Sequence, residues 1–164
     1  MPPLKTLLSK KLLNAERVAV LGVGSELRGD DAAGLLVVKA LAAKGLKKKS
    51  IAKFKVFLGA TAPENLSGEI RAYKPTHIII VDAVEAGSKP GEAFLVDLEK
   101  ISNASFCTHN LPINILVDYL QNSLKCQVLL LGIRPKKITF GSKPSLEVLR
   151  SAKSLAVLIT QILS

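Results

Sequence analysis

Short apolar runs separated by glycine-containing or charged stretches recur along the chain. Mostly apolar runs rich in β-branched residues or leucine occupy 18–21, 76–81 and 127–132, which is typical of strands buried on both faces of a parallel sheet. Residues 53–58 alternate apolar side chains with lysine and therefore predict a strand nearer an edge. These four segments predict the body of one sheet.

A fifth strand, at 92–98, follows the run at 76–81 after a compact turn at 85–91. A parallel crossover needs a dozen or more residues, so this link permits only an antiparallel neighbour. We therefore expect one antiparallel edge strand.

Helical spacing of apolar residues fills most of the remaining chain. Thr61 is expected to cap a short helix that has Pro63 in its first turn and ends near 73–75, and Ser145 is expected to open the last helix. The predicted helices cover 4–13, 35–41, the segment after Pro63, 113–120 with a start near Asn110 or Pro112, and 145–163.

The combined pattern predicts a three-layer α/β sandwich with helices on both faces of a mostly parallel, twisted sheet of about five strands. A single domain spanning residues 1–164 is expected from the length. Hydrophobic residues make up 48% of the chain and aromatic residues only 4%, so the core must consist of Leu, Ile, Val and Ala.

The net charge of +10 raises the question of nucleic-acid binding. Basic residues do not collect in one motif, because 47–49 is the only tight run, and a lysine-rich solvated surface is favoured instead. A basic surface also suits an acidic protein partner. We expect no nucleic-acid partner and a monomer.

The number of cysteines and the lengths of the apolar segments predict the cellular compartment of the protein. Cys107 and Cys126 are too few to predict a disulfide framework, no signal segment opens the chain, and no apolar run approaches the length of a membrane span. A soluble, cytoplasmic protein without membrane insertion is expected.

Residues 18–34, VAVLGVGSELRGDDAAG, form a predicted strand, a glycine-rich turn and the start of a helix. Gly22 and Gly24 match the dinucleotide-binding spacing, but Leu27 stands where its third glycine belongs. The three carboxylates of this turn would repel a phosphate. Nucleotide binding is therefore disfavoured.

Polar residues gather where the predicted parallel strands end. One of Asp30 and Asp31 is enough to cap the following helix, which leaves the other without a structural role. Asp82 directly follows the run at 76–81, so it should face the same crevice, where open α/β sheets bind ligands. His77 lies at the other end of that strand, about 15 Å away, which favours a structural role.

His109 lies in a predicted loop at a helix start, and with Asp82 and one of the paired acids it completes a candidate site. Two carboxylates and an imidazole suit borderline divalent metals such as nickel and zinc, and three protein ligands leave coordination positions open. Ordinary capping and loop hydrogen bonds are the alternative explanation. A Cys107–His109 dyad and a serine nucleophile at Ser25 are disfavoured.

Five spaced motifs resemble those of the nickel-iron hydrogenase maturation endopeptidases. Residues 22–34 resemble the family's opening signature, and 132–135 its last strand end. Between them lie counterparts of its glycine-threonine loop, its acidic strand end and its histidine loop, at 59–65, 81–83 and 108–109. The resemblance is closest to the archaeal type that processes membrane-bound, hydrogen-evolving hydrogenases.

The resemblance implies an endopeptidase that removes the C-terminal extension of a nickel-iron hydrogenase large-subunit precursor after nickel insertion. It places the catalytic and metal-contacting residues at Asp31, Asp82 and His109, with nickel carried by the substrate. It also selects Asp31 over Asp30, which our residue-level reasoning leaves open. Ser25 replaces the family's asparagine, and we expect its hydroxyl to preserve the turn.

Three further questions stay open at this point. A pair of acids could activate water directly, as in aspartic proteases, or the metal could do so. A nickel-binding maturation chaperone without peptidase activity would use the same three ligands, and a basic phosphate-binding module would need none of them. We expect Asp31 and His109 in exposed loops, so that their substitution spares the fold.

Overall fold

A computed structural model gives the fold and describes residues 3–44, 52–99 and 113–164. The strands are β1 (Arg17–Val23), β2 (Lys53–Ala60), β3 (His77–Ala83), β4 (Ala93–Leu95) and β5 (Gln127–Ile133). The α-helices are α1 (Leu4–Lys11), α2 (Ala33–Lys44), α3 (Ser67–Tyr73), α4 (Ile113–Leu124) and α5 (Leu146–Leu163), and two 3₁₀ turns cover Gly29–Ala32 and Pro63–Leu66.

The five strands form one sheet in the order β2-β1-β3-β5-β4. The first three pairings are parallel, and β4 is antiparallel to β5. The predicted sheet is confirmed, with β2 at one edge and the antiparallel strand at the other. The short link after β3 leads to β4, but β4 does not pair with β3. The longer, apolar β5 lies next to β3, and the half-buried β4 pairs with the far side of β5.

Helices cover both faces of the sheet, as the pattern predicts. One apolar cluster packs α1, α2 and α5 against alternate strand residues such as Val20 and Ile79. The other packs α3 and α4 against the intervening residues, including Leu21 and Ile80. All seven residues of β3 are buried, so this strand lies at the centre of the core.

Two helix starts test the capping predictions. Ser145 precedes α5 and its Oγ accepts a hydrogen bond from the Val148 amide at 3.4 Å, which confirms the predicted start of the last helix. The prediction for Thr61 is wrong, because Ala62 is the cap residue and no side-chain hydrogen bond is made there. Pro63 has no N–H to be capped and fixes the first 3₁₀ residue without help. No helix in the described ranges is long and apolar enough to cross a bilayer.

Candidate active site

The turn after β1 is built on Gly24. Its φ of 135° is a conformation that side chains rarely adopt, and a Cβ there would overlap the carbonyl oxygen of Asp31. The Ser25 amide donates to the same carbonyl at 3.2 Å, and Ser25 Oγ accepts from the Leu27 amide at 3.3 Å. The backbone of Asp31 is thereby held against the end of β1, and Ser25 keeps a hydrogen bond within the turn as expected.

Ala60, at the end of β2, supports the turn from the neighbouring strand. Its carbonyl accepts from the Gly24 amide at 2.9 Å, and its φ of 48° is left-handed. A non-glycine residue in that region costs roughly 1 kcal/mol, which the surrounding contacts must offset. Nothing in the sequence marks Ala60, since alanine has no preference for this conformation.

Gly34, in the first turn of α2, brings the acidic turn to the centre of the sheet. A Cβ at this position would overlap the carbonyl oxygens of Val81 and Val23, so α2 begins directly on the ends of β3 and β1. The 3₁₀ turn that carries Asp31 accordingly contacts β3, whose second-last residue is Asp82. The two acids therefore belong to the same edge of the sheet.

Asp30 has a structural role, but not as the cap of α2. Its Oδ1 accepts from the Ser145 amide at 2.6 Å, and its Oδ2 accepts from the amides of Lys136 and Lys137 at 2.8 and 3.0 Å and from Ser145 Oγ at 2.9 Å. Burial alone would raise the pKa of Asp30, but these hydrogen bonds together lower it below its usual value. Asp30 therefore fastens the acidic turn to the segment before α5.

Asp31 and Asp82 are both buried, at 1% and 3% exposure. The expectation that Asp31 lies in an exposed loop is wrong, because the 3₁₀ turn is enclosed by the strand ends, α2 and the segment before α5. Asp82 Oδ1 accepts from the Ala83 amide at 2.8 Å, which fixes that carboxylate at the strand end. Two carboxylates buried at one edge are the kind of donor pair that a cation would compensate.

His109 and Cys107 lie outside the described residues, so the proposed third member of the site stays a prediction. Residues 113–124 form α4, which is followed by the amino end of β5 at Gln127. Because α4 runs antiparallel to the strands, its start at Ile113 lies toward the carboxyl edge of the sheet. In the sequence His109 precedes Ile113 by four residues (113 − 109).

The remaining titratable candidates lie elsewhere. His77 is 7% exposed at the opposite end of β3, as predicted, and burial lowers its pKa. Cys126 is half-buried just before β5, and burial raises its thiol pKa, which suits an unreactive side chain. Among the described residues, no group of three or more His, Cys, Asp or Glu side chains is spaced to hold a metal ion.

A parallel α/β sheet with two buried acids at its carboxyl edge defines a class of protein with a candidate ligand site at that edge, and comparisons identify the family. The family model described as hydrogenase maturation protease, HycI, matches residues 35–162, which include Asp82 and His109 and begin after Asp31. The hydrogenase 3 maturation protease of Escherichia coli K12 is 38% identical over 124 residues, 74% of each chain.

Solved structures show the same fold. The [NiFe] hydrogenase maturation protease HycI from Thermococcus kodakarensis superposes with a TM-score of 0.85 at 29% identity, covering 96% of this chain and 98% of its own.

A relative from Methanocaldococcus jannaschii, provisionally named a hydrogenase maturation protease, is 36% identical over 140 residues, 84% of this chain and 83% of its own. The chain belongs to the hydrogenase maturation protease family, and it is an endopeptidase of that family.

Proposed function

We propose that this endopeptidase removes the C-terminal extension of a nickel-iron hydrogenase large-subunit precursor once nickel has been inserted. The observation that supports this most is the placement of two buried carboxylates, Asp31 and Asp82, at one edge of the sheet. The names of its relatives supply the substrate class.

In this proposal the nickel ion belongs to the substrate, and Asp31, Asp82 and His109 recognise it. Carboxylate oxygens and an imidazole nitrogen suit a borderline divalent ion. Attraction between the carboxylates and a cation is stronger at a buried edge than in water, because the local dielectric is lower. His109 is separated by only three intervening residues from a helix that starts toward the same edge.

The hydrogen bonds of Asp30 support the choice of Asp31 as the metal-contacting acid. Both oxygens of Asp30 are engaged by Lys136, Lys137 and Ser145, so using that carboxylate as a ligand would release the segment before α5. The structure thus supplies a physical reason for dividing the roles of two adjacent aspartates. Asp30 holds the turn, and Asp31 meets the substrate.

The three residues position the substrate by binding its metal. When they hold a nickel-loaded precursor, the scissile peptide is fixed next to the two acids. Fixing the reacting groups in this way lowers the entropic part of the activation barrier. Held by these residues, the ion would supply Lewis-acid chemistry, either polarising a carbonyl or lowering the pKa of a bound water. A precursor without nickel lacks this anchor, so cleavage is tied to completed metal insertion.

The test is the single-turnover rate of cleavage of nickel-loaded precursor by Asp31→Asn. Asp31→Asn keeps the side-chain shape, and we expect it to lower the rate roughly 100-fold or more, as loss of a metal contact would. The matched control is Glu26→Gln in the same turn, since Glu26 is exposed and pairs with Lys39. Wild-type rates for Asp31→Asn would contradict the proposal. If wild-type protein binds the precursor only when nickel is loaded but never cleaves it, the protein is the non-proteolytic chaperone instead.

A further inference from the structure

A basic groove lies beside the candidate active site, between the segment before α5 and the start of that helix. Its volume is about 650 Å³, and we define it by Lys137, Lys143, Leu146 and Arg150. Asp30, the neighbour of Asp31 in the sequence, also lines it. The groove is therefore continuous with the turn that carries the proposed metal contact.

The groove carries uncompensated positive charge. Its two carboxylates are already engaged, because Glu147 pairs with Lys136 at 2.7 Å and Asp30 accepts four hydrogen bonds. Over the described ranges, no ion pair involves Lys137, Lys143 or Arg150, although all three are exposed. The charge of this groove therefore favours an anionic ligand.

Exposed apolar side chains accompany the charges. Leu146 is 65% exposed within the groove, and Phe140, in the segment between Lys137 and Lys143, and Leu27 are 76% and 64% exposed. The Gly141 amide donates to the Leu27 carbonyl at 2.8 Å, which joins the loop that carries Phe140 to the acidic turn. An exposed leucine among basic side chains is compatible with a protein-binding surface.

We propose that this groove binds an acidic segment of the precursor polypeptide, with an apolar side chain of that segment packed against Leu146. The inference rests on the proposed function, because it assigns the groove to the same substrate. Charge complementarity determines the sign of the partner, and the aliphatic Leu146 favours a polypeptide over stacked bases. The groove thereby recognises the precursor away from the metal and helps to align it.

The experiment compares two triple variants with equal changes in net charge. The groove variant is Lys137→Glu, Lys143→Glu and Arg150→Glu. The control variant is Lys5→Glu, Lys10→Glu and Lys53→Glu, whose residues are exposed and lie on α1 and at the start of β2. None of the six belongs to the proposed catalytic set.

For nickel-loaded precursor, the groove variant should raise KM about tenfold or more and leave kcat within about twofold, because three exposed charges change sign. The control variant should stay near wild type in both constants. An equal rise of KM in the control, or a fall in kcat with unchanged KM, would overturn the inference.

A binding measurement separates this inference from the proposed function. A fluorescent peptide of alternating Glu and Leu should bind wild type and the control variant but not the groove variant, and an oligonucleotide of equal charge should bind more weakly. Equal peptide binding by all three proteins, or tighter oligonucleotide binding, would overturn the groove assignment. Precursor left intact by wild-type protein would instead overturn the proposed function.

The contribution of Leu146 to peptide binding is tested by comparing two leucine truncations. Leu146→Ala should weaken binding of the Glu-Leu peptide several-fold, because it removes the contact surface of the apolar side chain. Leu13→Ala, which truncates a 76% exposed leucine just beyond α1, should not. Equal effects of the two truncations would remove Leu146 from the proposed surface.

Discussion

The two ends of β3 carry polar residues in contrasting surroundings. At the amino end, Thr76 Oγ1 accepts from the amides of Glu16 and Arg17 at 3.1 and 3.2 Å and donates to the Arg17 carbonyl at 3.1 Å. His77 Nδ1 lies 3.1 Å from the same hydroxyl. This end is a hydrogen-bonded junction between the start of β1 and the start of β3.

The carboxyl end instead combines close backbone contacts with two buried acids. Two glycines, Gly24 and Gly34, let backbone segments approach where a Cβ would overlap, and Ala60 is held in a left-handed conformation. These backbone features bring Asp31 and Asp82 to the same edge of the sheet. Two buried acids and close backbone approach therefore distinguish the proposed functional end of the sheet, whereas a left-handed backbone does not, because Lys74 and Lys125 adopt it at the amino end.

The largest expected effect is a loss of precursor cleavage when an acid at the carboxyl end of β3 is replaced. Asp82→Asn should lower the rate of precursor cleavage roughly 100-fold or more, since it removes a proposed metal contact with little change of shape. His77→Asn, at the other end of the same strand, should cleave at nearly the wild-type rate. Cleavage assays with nickel-loaded precursor measure both, and a loss of cleavage in His77→Asn as large as in Asp82→Asn would contradict a structural role for His77.

Asp30 should dominate stability at the carboxyl end. Asp30→Ala leaves the amides of Lys136, Lys137 and Ser145 without their acceptor, so the free energy of unfolding should fall by about 3 kcal/mol. Urea unfolding measures this change. Glu26→Ala, in the same turn but exposed, should cost less than about 0.5 kcal/mol. Equal losses in the two variants would show that Asp30 does not fasten the turn.

Thr76 should contribute stability without activity. Thr76→Val removes the hydroxyl that joins β1 and β3, and the free energy of unfolding should fall by about 1–2 kcal/mol while cleavage stays unchanged. Thr76→Ser keeps the hydroxyl and should recover most of the loss. A Thr76→Val variant with wild-type stability but impaired cleavage would reverse the roles assigned to the two ends.

The smallest expected effect is a pH dependence from His77. Burial lowers its pKa below the ordinary value of 6.5, although hydrogen bonds involving Gln127 and the Lys11 backbone oppose the shift. The unfolded chain then binds the proton first, so stability is full above about pH 6.5 and declines as pH falls toward the lower folded pKa. Urea midpoints between about pH 7.5 and 5 should fall more for wild type than for His77→Gln. Parallel curves would contradict this assignment.

Strands β1, β3 and β5 were predictable from sequence because they are buried apolar runs with a glycine or an acid at or next to the carboxyl end, and β2 was predictable from its alternation with lysine. The run before Asp82 located both the central strand and an acid at the carboxyl edge. Asp30 and Asp31 could not be distinguished by residue type, since their roles depend on amides more than 100 residues away in the sequence. Ala60 left no signal, because its left-handed backbone is imposed by β1 and the Gly24 turn.

The central claim is tested most directly by the mass of a hydrogenase large-subunit precursor after incubation with this protein, with and without nickel loading. The account predicts loss of a C-terminal peptide from the nickel-loaded precursor only, with wild type and Glu26→Gln active and Asp31→Asn inactive. Equal cleavage of the nickel-free precursor would contradict recognition through the metal. An unchanged mass of the loaded cognate precursor would contradict the assigned substrate.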